Sequence, residues 1–368
     1  MKRPRLELVS LKKEYDGGSV VAVDGIDLSV EAGETVALLG PSGCGKSTTL
    51  NMIVGLEEPS AGDIQVDGKS IVGVPPGRRD VGLVFQDYAV FTSMTVRKNL
   101  AFGLDVRGVA KDTVDRAVEE VAELLGMSDR LNARAKDLGG SELQRVAIGR
   151  TLVTKPSILL LDEPLSNLEA AARLAMRREL RRLQRDIGIT IIYVTHDQIE
   201  ALSLADRIAV MRAGKILQVE KTAEIYDRPD HVFVASFLGS PPMNMIRGEL
   251  QADEQGARFI RGDFSLPVPE TIAAEGPCTL GMRPEALRLT PPGDTGWPGR
   301  VRLVEPRGSE VVLTVEASAV ELKIVAPSAT YPAEGETVGI AVDPASLVFF
   351  DGATNRRIDC CPAGGMRP

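Results

Sequence analysis

The run Gly40-Pro41-Ser42-Gly43-Cys44-Gly45-Lys46-Ser47-Thr48 follows four apolar residues, 36–39. Its spacing satisfies GxxxxGK[ST]. Glycines here let backbone N–H groups turn inward on a row of phosphates. Lys46 brings an ammonium to the β- and γ-phosphates, and Ser47 offers a hydroxyl to Mg²⁺. A ligand with the concentrated negative charge of ATP is what such a P-loop requires. A second apolar run, Ile158-Leu159-Leu160-Leu161, ends in Asp162-Glu163-Pro164. It puts two carboxylates where a buried strand emerges at the ligand edge of a sheet. In this Walker B pattern Asp162 holds Mg²⁺, directly or through water, and Glu163 polarises the attacking water as general base. Of the two histidines, His196 follows the apolar run 189–194 in Val194-Thr195-His196-Asp197. That also places it at a strand's carboxyl end, within reach of a γ-phosphate. A lone histidine is more often structural or solvated, the reading kept for His231 in its Pro229-Asp230-His231 turn.

These residues need a scaffold that ends several strands at one edge. The short apolar runs 35–39, 81–85, 158–161 and 189–194 alternate with helical patterns, as in parallel α/β structure. Val114, Val118, Val121 and Leu125 repeat with helical spacing, as do Met176, Leu180, Leu183 and Ile187. Each set predicts an amphipathic helix. Eight of the 23 prolines lie in residues 1–240 and fifteen in the remaining 128 residues, so the organisation changes near Gly239-Ser240-Pro241-Pro242. Beyond it, strand-like runs at 300–304, 310–315, 321–325 and 347–350 between Gly and Pro turns predict a small β-barrel. Residues 361–368 read as a disordered tail.

Composition narrows the class. With 368 residues, 43% hydrophobic and 26% charged, the chain buries ordinary cores and divides into two or three domains. A net charge of −8 argues against a nucleic-acid binder held by charge. The basic start, residues 1–5, is followed by Glu7 before any signal-peptide apolar region forms. Cys44, Cys278, Cys360 and Cys361 show no CxxC spacing, a poor disulfide or metal framework that fits a reducing cytoplasm.

Taken in order, the motifs resemble those of ATP-binding cassette (ABC) ATPases, specifically the importer branch serving maltose and glycerol-3-phosphate. Tyr15 sits where that family stacks an aromatic on adenine, although without the other motifs a strand-edge aromatic packing on its neighbours is the more ordinary use. Gln86 matches the Q-loop glutamine, which implies a part in Mg²⁺ binding and catalysis. Ser166-Asn167-Leu168-Glu169 matches the D-loop, and His196 the switch histidine. Tyr88, Val90, Phe91, Met94 and Val96 resemble the surface that grips a coupling helix of the membrane subunits. Phe91 and Val96 read equally well as core. Gly281-Met282-Arg283-Pro284-Glu285 and the 304–310 segment look like a TOBE domain, which in that family serves dimer contact and regulation. Residues 241–368 hold 12 basic and 17 acidic side chains, against nucleic acid as its ligand.

The resemblance implies an α/β P-loop cassette over 1–238, with a mixed-sheet core and a helical subdomain at about 87–153. A small all-β OB-fold-like TOBE domain over 239–368 completes it. It also implies a dimeric ATPase at the cytoplasmic face of the inner membrane, with two permease subunits and a periplasmic or extracellular solute-binding protein as partners. The solute would be a carbohydrate, polyol or glycerol phosphate, although polyamine, iron and sulfate importers have similar ATPases. Two motifs depart from the family, the D-loop only in ending with Glu169 where the family has aspartate, the signature more deeply. The family's LSGGQ signature, which binds ATP on the opposite subunit, reads Leu138-Gly139-Gly140-Ser141-Glu142 here, ahead of an intact Gln144-Arg145-Val146-Ala147-Ile148-Gly149-Arg150. The hydroxyl expected at Gly139 is missing, Ser141 adds a side chain where backbone must approach phosphate, and Glu142 brings charge. Two assemblies follow. A homodimer would use Ser141 from a shifted loop, whereas a heterodimer would take an intact signature from a second ATPase. A soluble ABC ATPase and a low-turnover regulatory subunit are the competing classes.

Overall fold

A computed structural model describes residues 4–253, 256–268, 275–293, 296–329 and 331–358. Cys360, Cys361 and the expected tail lie outside the described residues. Contacts divide the chain into two compact units, Met1–Ile225 and Tyr226–Pro368. This division comes earlier than residue 238 because the short helix preceding that position packs on the β-structure beyond it, Ala235 joining Met243 and Phe350 in one apolar cluster.

In the first unit, β1 (Leu6–Tyr15), β2 (Val20–Val30), β4 (Ala61–Val66) and β5 (Lys69–Ser70) form an antiparallel sheet in the order β2-β1-β4-β5. The central sheet contains β3 (Thr35–Leu39), β6 (Val81–Val84), β7 (Ile158–Asp162), β8 (Thr190–Thr195), β9 (Arg207–Arg212) and β10 (Lys215–Lys221). Its order is β10-β9-β3-β8-β7-β6, with the five strands from β9 to β6 parallel and β10 antiparallel. Every residue of β3 and β8 is buried, as expected of parallel strands covered on both faces.

The helices are α1 (Lys46–Val54), α2 (Val96–Val106), α3 (Lys111–Leu124), α4 (Gly140–Leu152), α5 (Ala170–Ile187), α6 (Gln198–Leu204), α7 (Thr222–Asp227) and α8 (Val232–Phe237). Both predicted stripes are present: α3 buries Val114, Val118 and Val121, and α5 buries Met176, Leu180 and Leu183. Ile187 departs from its stripe and is 44% exposed. It is the last residue of α5, and Gly188 at φ 67° turns the chain away from the core there. Val96 belongs to the core that α2, α3 and α4 build, whereas Phe91 is 37% exposed and packs its ring on Phe102. Of the two readings of Val96, the core one holds.

In the second unit, β11 (Asn244–Asp253), β12 (Gly256–Arg261), β13 (Phe264–Pro267), β14 (Gly276–Met282) and β20 (Val348–Asp351) make one sheet. The strands β15 (Leu287–Thr290), β16 (Trp297–Pro306), β17 (Glu310–Ala317), β18 (Val320–Pro327) and β19 (Thr337–Val342) make the other. The expected small barrel is built from two five-stranded antiparallel sheets closed on one core, which Phe259, Leu280 and Phe349 share with Leu313, Leu322 and Ile340. Asn244 ties the two: its Nδ2 donates to the carbonyls of Met282 and Lys323, and its Oδ1 accepts from the Lys323 N–H. His231 caps α8, Nδ1 accepting from the Phe233 N–H.

Candidate functional site

The loop 40–48 leaves a buried strand and enters α1 at Lys46. Two of its glycines are required by space and the third by its backbone conformation. A Cβ on Gly40 would lie 2.3 Å from the Met211 carbonyl oxygen. One on Gly45, at φ 108°, would lie 2.4 Å from that of Ala22. Gly43 adopts φ 77°. Lys46 is 5% exposed, and its Nζ donates to the carbonyls of Gly40 and Pro41 at 2.8 and 3.0 Å. The loop thus curls around its own ammonium. Cys44 lies buried behind it, its thiol pushed up by burial against the pull of Lys46. Ser42, Gly43, Gly45, Lys46, Ser47 and Thr48 face a cavity of about 240 Å³ together with Ala22 and Glu163.

Two oxygens meet at its side, Ser47 Oγ donating to Asp162 Oδ1 at 3.3 Å. A hydroxyl and a carboxylate are the hard donors that Mg²⁺ takes beside a phosphate. Burial raises the Asp162 pKa, and Glu163 adds to this while the Ser47 hydrogen bond and Lys46 oppose it. These residues fit a Mg²⁺-bound triphosphate: turned amides, an ammonium and two oxygen donors converge on one opening.

Glu163 takes φ 43°, a left-handed conformation that non-glycine residues rarely adopt. The turn is pinned from both sides. Its N–H donates to the Val194 carbonyl at 3.0 Å, and its own carbonyl accepts from the Ser166 N–H and Oγ. Strain held this way clusters at functional positions. The consequence is a carboxylate aimed back at the neighbouring strand end, where Glu163 Oε2 lies 3.0 Å from His196 Nδ1. The two differ in access, 17% and 55% exposed. Gln86 joins through its Nε2, 3.4 Å from Ser166 Oγ, and its carbonyl accepts from Asn167 Nδ2.

The fold therefore gathers residues 40–48, Asp162, Glu163, His196 and Gln86 at the ends of β3, β6, β7 and β8. Tyr15 stands at the end of β1, half-buried, with the Lys13 ammonium 5.0 Å from its ring centroid. The four residues 139–142 are elsewhere, at the N-terminus of α4. There Glu142 Oε2 accepts from the Gly139 N–H at 3.0 Å, and Glu142 Oε1 lies 3.2 Å from Arg130 Nε.

The match to known proteins runs the length of the chain. Residues 23–166 match the ABC transporter family, 239–287 the MalK OB fold domain and 280–350 the TOBE domain. The "sn-glycerol-3-phosphate import ATP-binding protein UgpC 3" of Rhizobium etli is 43% identical over 359 residues, covering 96% of this chain and 99% of that protein. The chain belongs to the ATP-binding subunits of ABC transporters. Other relatives of this ABC subunit carry different cargo names. The "Trehalose/maltose import ATP-binding protein MalK" of Thermococcus litoralis is 42% identical, over 96% of this chain and 99% of its own. The "Alpha-glucoside transport ATP-binding protein AglK" of Rhizobium meliloti is 43% identical, over 94% and 97%. Among solved structures, cbiO1 from Clostridium perfringens, part of the ABC transporter complex cbiONQ, superposes with a TM-score of 0.57 at 29% identity. It covers 61% of this chain and 92% of its own. As an ABC subunit with a TOBE domain, the protein binds and hydrolyses ATP to energise transport. No helix among the described residues is long and apolar enough to cross a membrane.

Two contributors escape sequence reasoning. Glu200, in α6, is 3% exposed and accepts from Tyr193 Oη and Thr195 Oγ1, both at 2.9 Å. Arg79, also 3% exposed, caps the last turn of α1 from a distant loop. Charged side chains read as solvated faces, and no periodicity marks either as buried.

Proposed function

We propose that this subunit energises an importer for a carbohydrate, polyol or glycerol phosphate. Closure of an ATPase dimer on ATP, and reopening after hydrolysis, would drive two membrane permease subunits fed by a periplasmic or extracellular solute-binding protein. The observation that carries the hydrolytic part is the 3.0 Å contact between Glu163 and His196 beside the P-loop. In this reading Glu163 takes the proton of the attacking water, and His196 holds that carboxylate and faces the γ-phosphate. Lys46 leaves its carbonyl partners for the phosphates, and residues 40–48 supply amides to them. Ser47, Asp162 and Gln86 would hold Mg²⁺, which when bound neutralises phosphate charge. Tyr15 would stack on adenine. The cargo class rests on the names of the relatives, and the location at the cytoplasmic face of the inner membrane rests on the permease partners.

The site on one chain lacks residues 139–142, which supports their completing the site of a second ATPase subunit. In this chain Glu142 already satisfies the Gly139 N–H and is paired with Arg130, which favours a heterodimer whose partner carries an unaltered signature. The test is Glu163→Gln in the complex purified through a tag on this chain. ATPase activity should fall roughly 10²- to 10⁴-fold with ATP binding retained. An unchanged rate would mean that this chain's own site does not fire. Mass spectrometry of the same preparation identifies the assembly. Permeases with a second ATPase fit the heterodimer, permeases alone the homodimer, and no permease would refute the transport reading.

A further inference from the structure

His196 is more than half exposed, so its aim depends on the backbone that carries it. That backbone is tied on both sides. On the left, Thr195 Oγ1 donates to Glu200 Oε2 at 2.9 Å. On the right, the Asp197 N–H donates to Thr195 Oγ1 at 2.9 Å, and Asp197 Oδ1 accepts from the N–H groups of Ile199 and Glu200 at 2.7 and 3.3 Å. The Glu200 carboxylate also accepts from the buried phenol of Tyr193, two residues earlier on β8. The turn presenting His196 is therefore clamped between strand β8 and helix α6 through one buried side chain.

A third element reaches the same carboxylate. From α5, Arg173 Nε lies 3.9 Å from Glu200 Oε1, and its Nη1 lies 3.8 Å from Asp197 Oδ2. The same guanidinium donates from Nη2 to the carbonyl of Leu168, in the segment joining Glu163 to α5. Burial raises the pKa of Glu200 against the pull of its two hydroxyl donors, and it holds the Tyr193 phenol far above its ordinary value. A carboxylate kept at this cost in a transport ATPase has work beyond packing, because an apolar residue would fill the space without desolvation.

We infer that Glu200 is a positioning residue for hydrolysis: through Thr195 and Asp197 it holds His196 in contact with Glu163. The inference rests on the role proposed for His196 and extends it to a buried side chain whose own hydrogen-bond donors are Tyr193 and Thr195. Its consequence is specific to turnover. Displacing a reacting group by about 1 Å can cost on the order of a hundredfold in rate while binding persists.

The test is a double-mutant cycle in the complex purified through a tag on this chain, with kcat, KM and nucleotide affinity measured for His196→Ala, Glu200→Ala and the pair. Glu200→Ala should lower kcat roughly ten- to hundredfold and leave ATP affinity within about twofold. In the His196→Ala background it should lower kcat no further. Glu200→Gln, whose amide oxygen still accepts from Tyr193 and Thr195, should recover most of the turnover. Multiplying effects in the double variant would overturn the inference alone, leaving the His196 role intact. A wild-type rate for His196→Ala would overturn that role and the inference with it. If Glu200→Ala does not fold, Thr195→Val, which removes the hydroxyl shared by Glu200 and Asp197, runs the same cycle with the same criteria.

Discussion

Replacing Arg79 with methionine should destabilise the ATP-binding unit by about 3–5 kcal/mol. The guanidinium is 3% exposed. Its Nη1 donates to the carbonyls of Met52 and Ile53 at 2.7 and 3.1 Å, and its Nε to that of Val74 at 2.6 Å. The first two belong to the last turn of α1, whose carbonyls have no partner within the helix, and a cation there also meets the negative end of the helix dipole. Methionine keeps the apolar stem but leaves three carbonyls unpaired, each costing about 1–3 kcal/mol. The arginine's own desolvation, which lowers its pKa, is recovered on substitution and brings the sum down to the stated range. For a unit of this size that is a fall of roughly 10 °C in Tm. Calorimetry of the full chain with and without Mg-ATP assigns the transition, since the ATP-binding unit is the one nucleotide stabilises. A loss below about 1 kcal/mol would refute the reasoning. It would mean that water reaches those carbonyls, or that the last turn of α1 frays without consequence for the P-loop at its other end.

Two further outcomes concern the P-loop and the buried Glu200. Gly45→Ala places a Cβ 2.4 Å from the Ala22 carbonyl oxygen at φ 108°, so the loop must shift. Titration with a fluorescent ATP analogue should show at least a roughly tenfold loss of affinity, and wild-type affinity would show that the loop is not held as described. The raised pKa of Glu200 gives a pH signature. Facing it are Tyr193 on β8, Asp197 ahead of α6 and Arg173 on α5. Because the fold disfavours the ionised carboxylate, its contribution is fully present below the unfolded value of about 4.5 and is lost as pH rises through the raised folded value. Glu200→Gln has no such slope. Its urea midpoint relative to wild type should climb as pH rises above about 4.5 and level once the folded carboxyl has ionised, and a difference independent of pH would contradict the assignment.

The phosphate-binding loop was legible from residue types and spacing because its chemistry is local. A strand, a glycine-rich turn and a helix start lie consecutively, and the structure begins α1 at Lys46 within that run. The parallel strands at 35–39 and 158–161 were legible too, since a strand covered on both faces must be apolar throughout. The C-terminal unit was legible as a small all-β domain of strands between turns, but its strand order was not. Strand pairing is non-local, and alternation alone does not say which edges join.

Sequence by itself determined the family, the order of the motifs and the residue types that meet ATP, because those depend on neighbours along the chain. Tertiary structure decided the rest. It brought His196 against Glu163 by ending β8 beside β7, forced Glu163 into a left-handed turn, and buried Glu200 and Arg79, which composition assigns to solvent. It also kept residues 139–142 away from the P-loop of their own chain. The physical reason is common to all four: burial and contact are set by which elements pack together, and a charged side chain carries no local mark of the partners that will surround it.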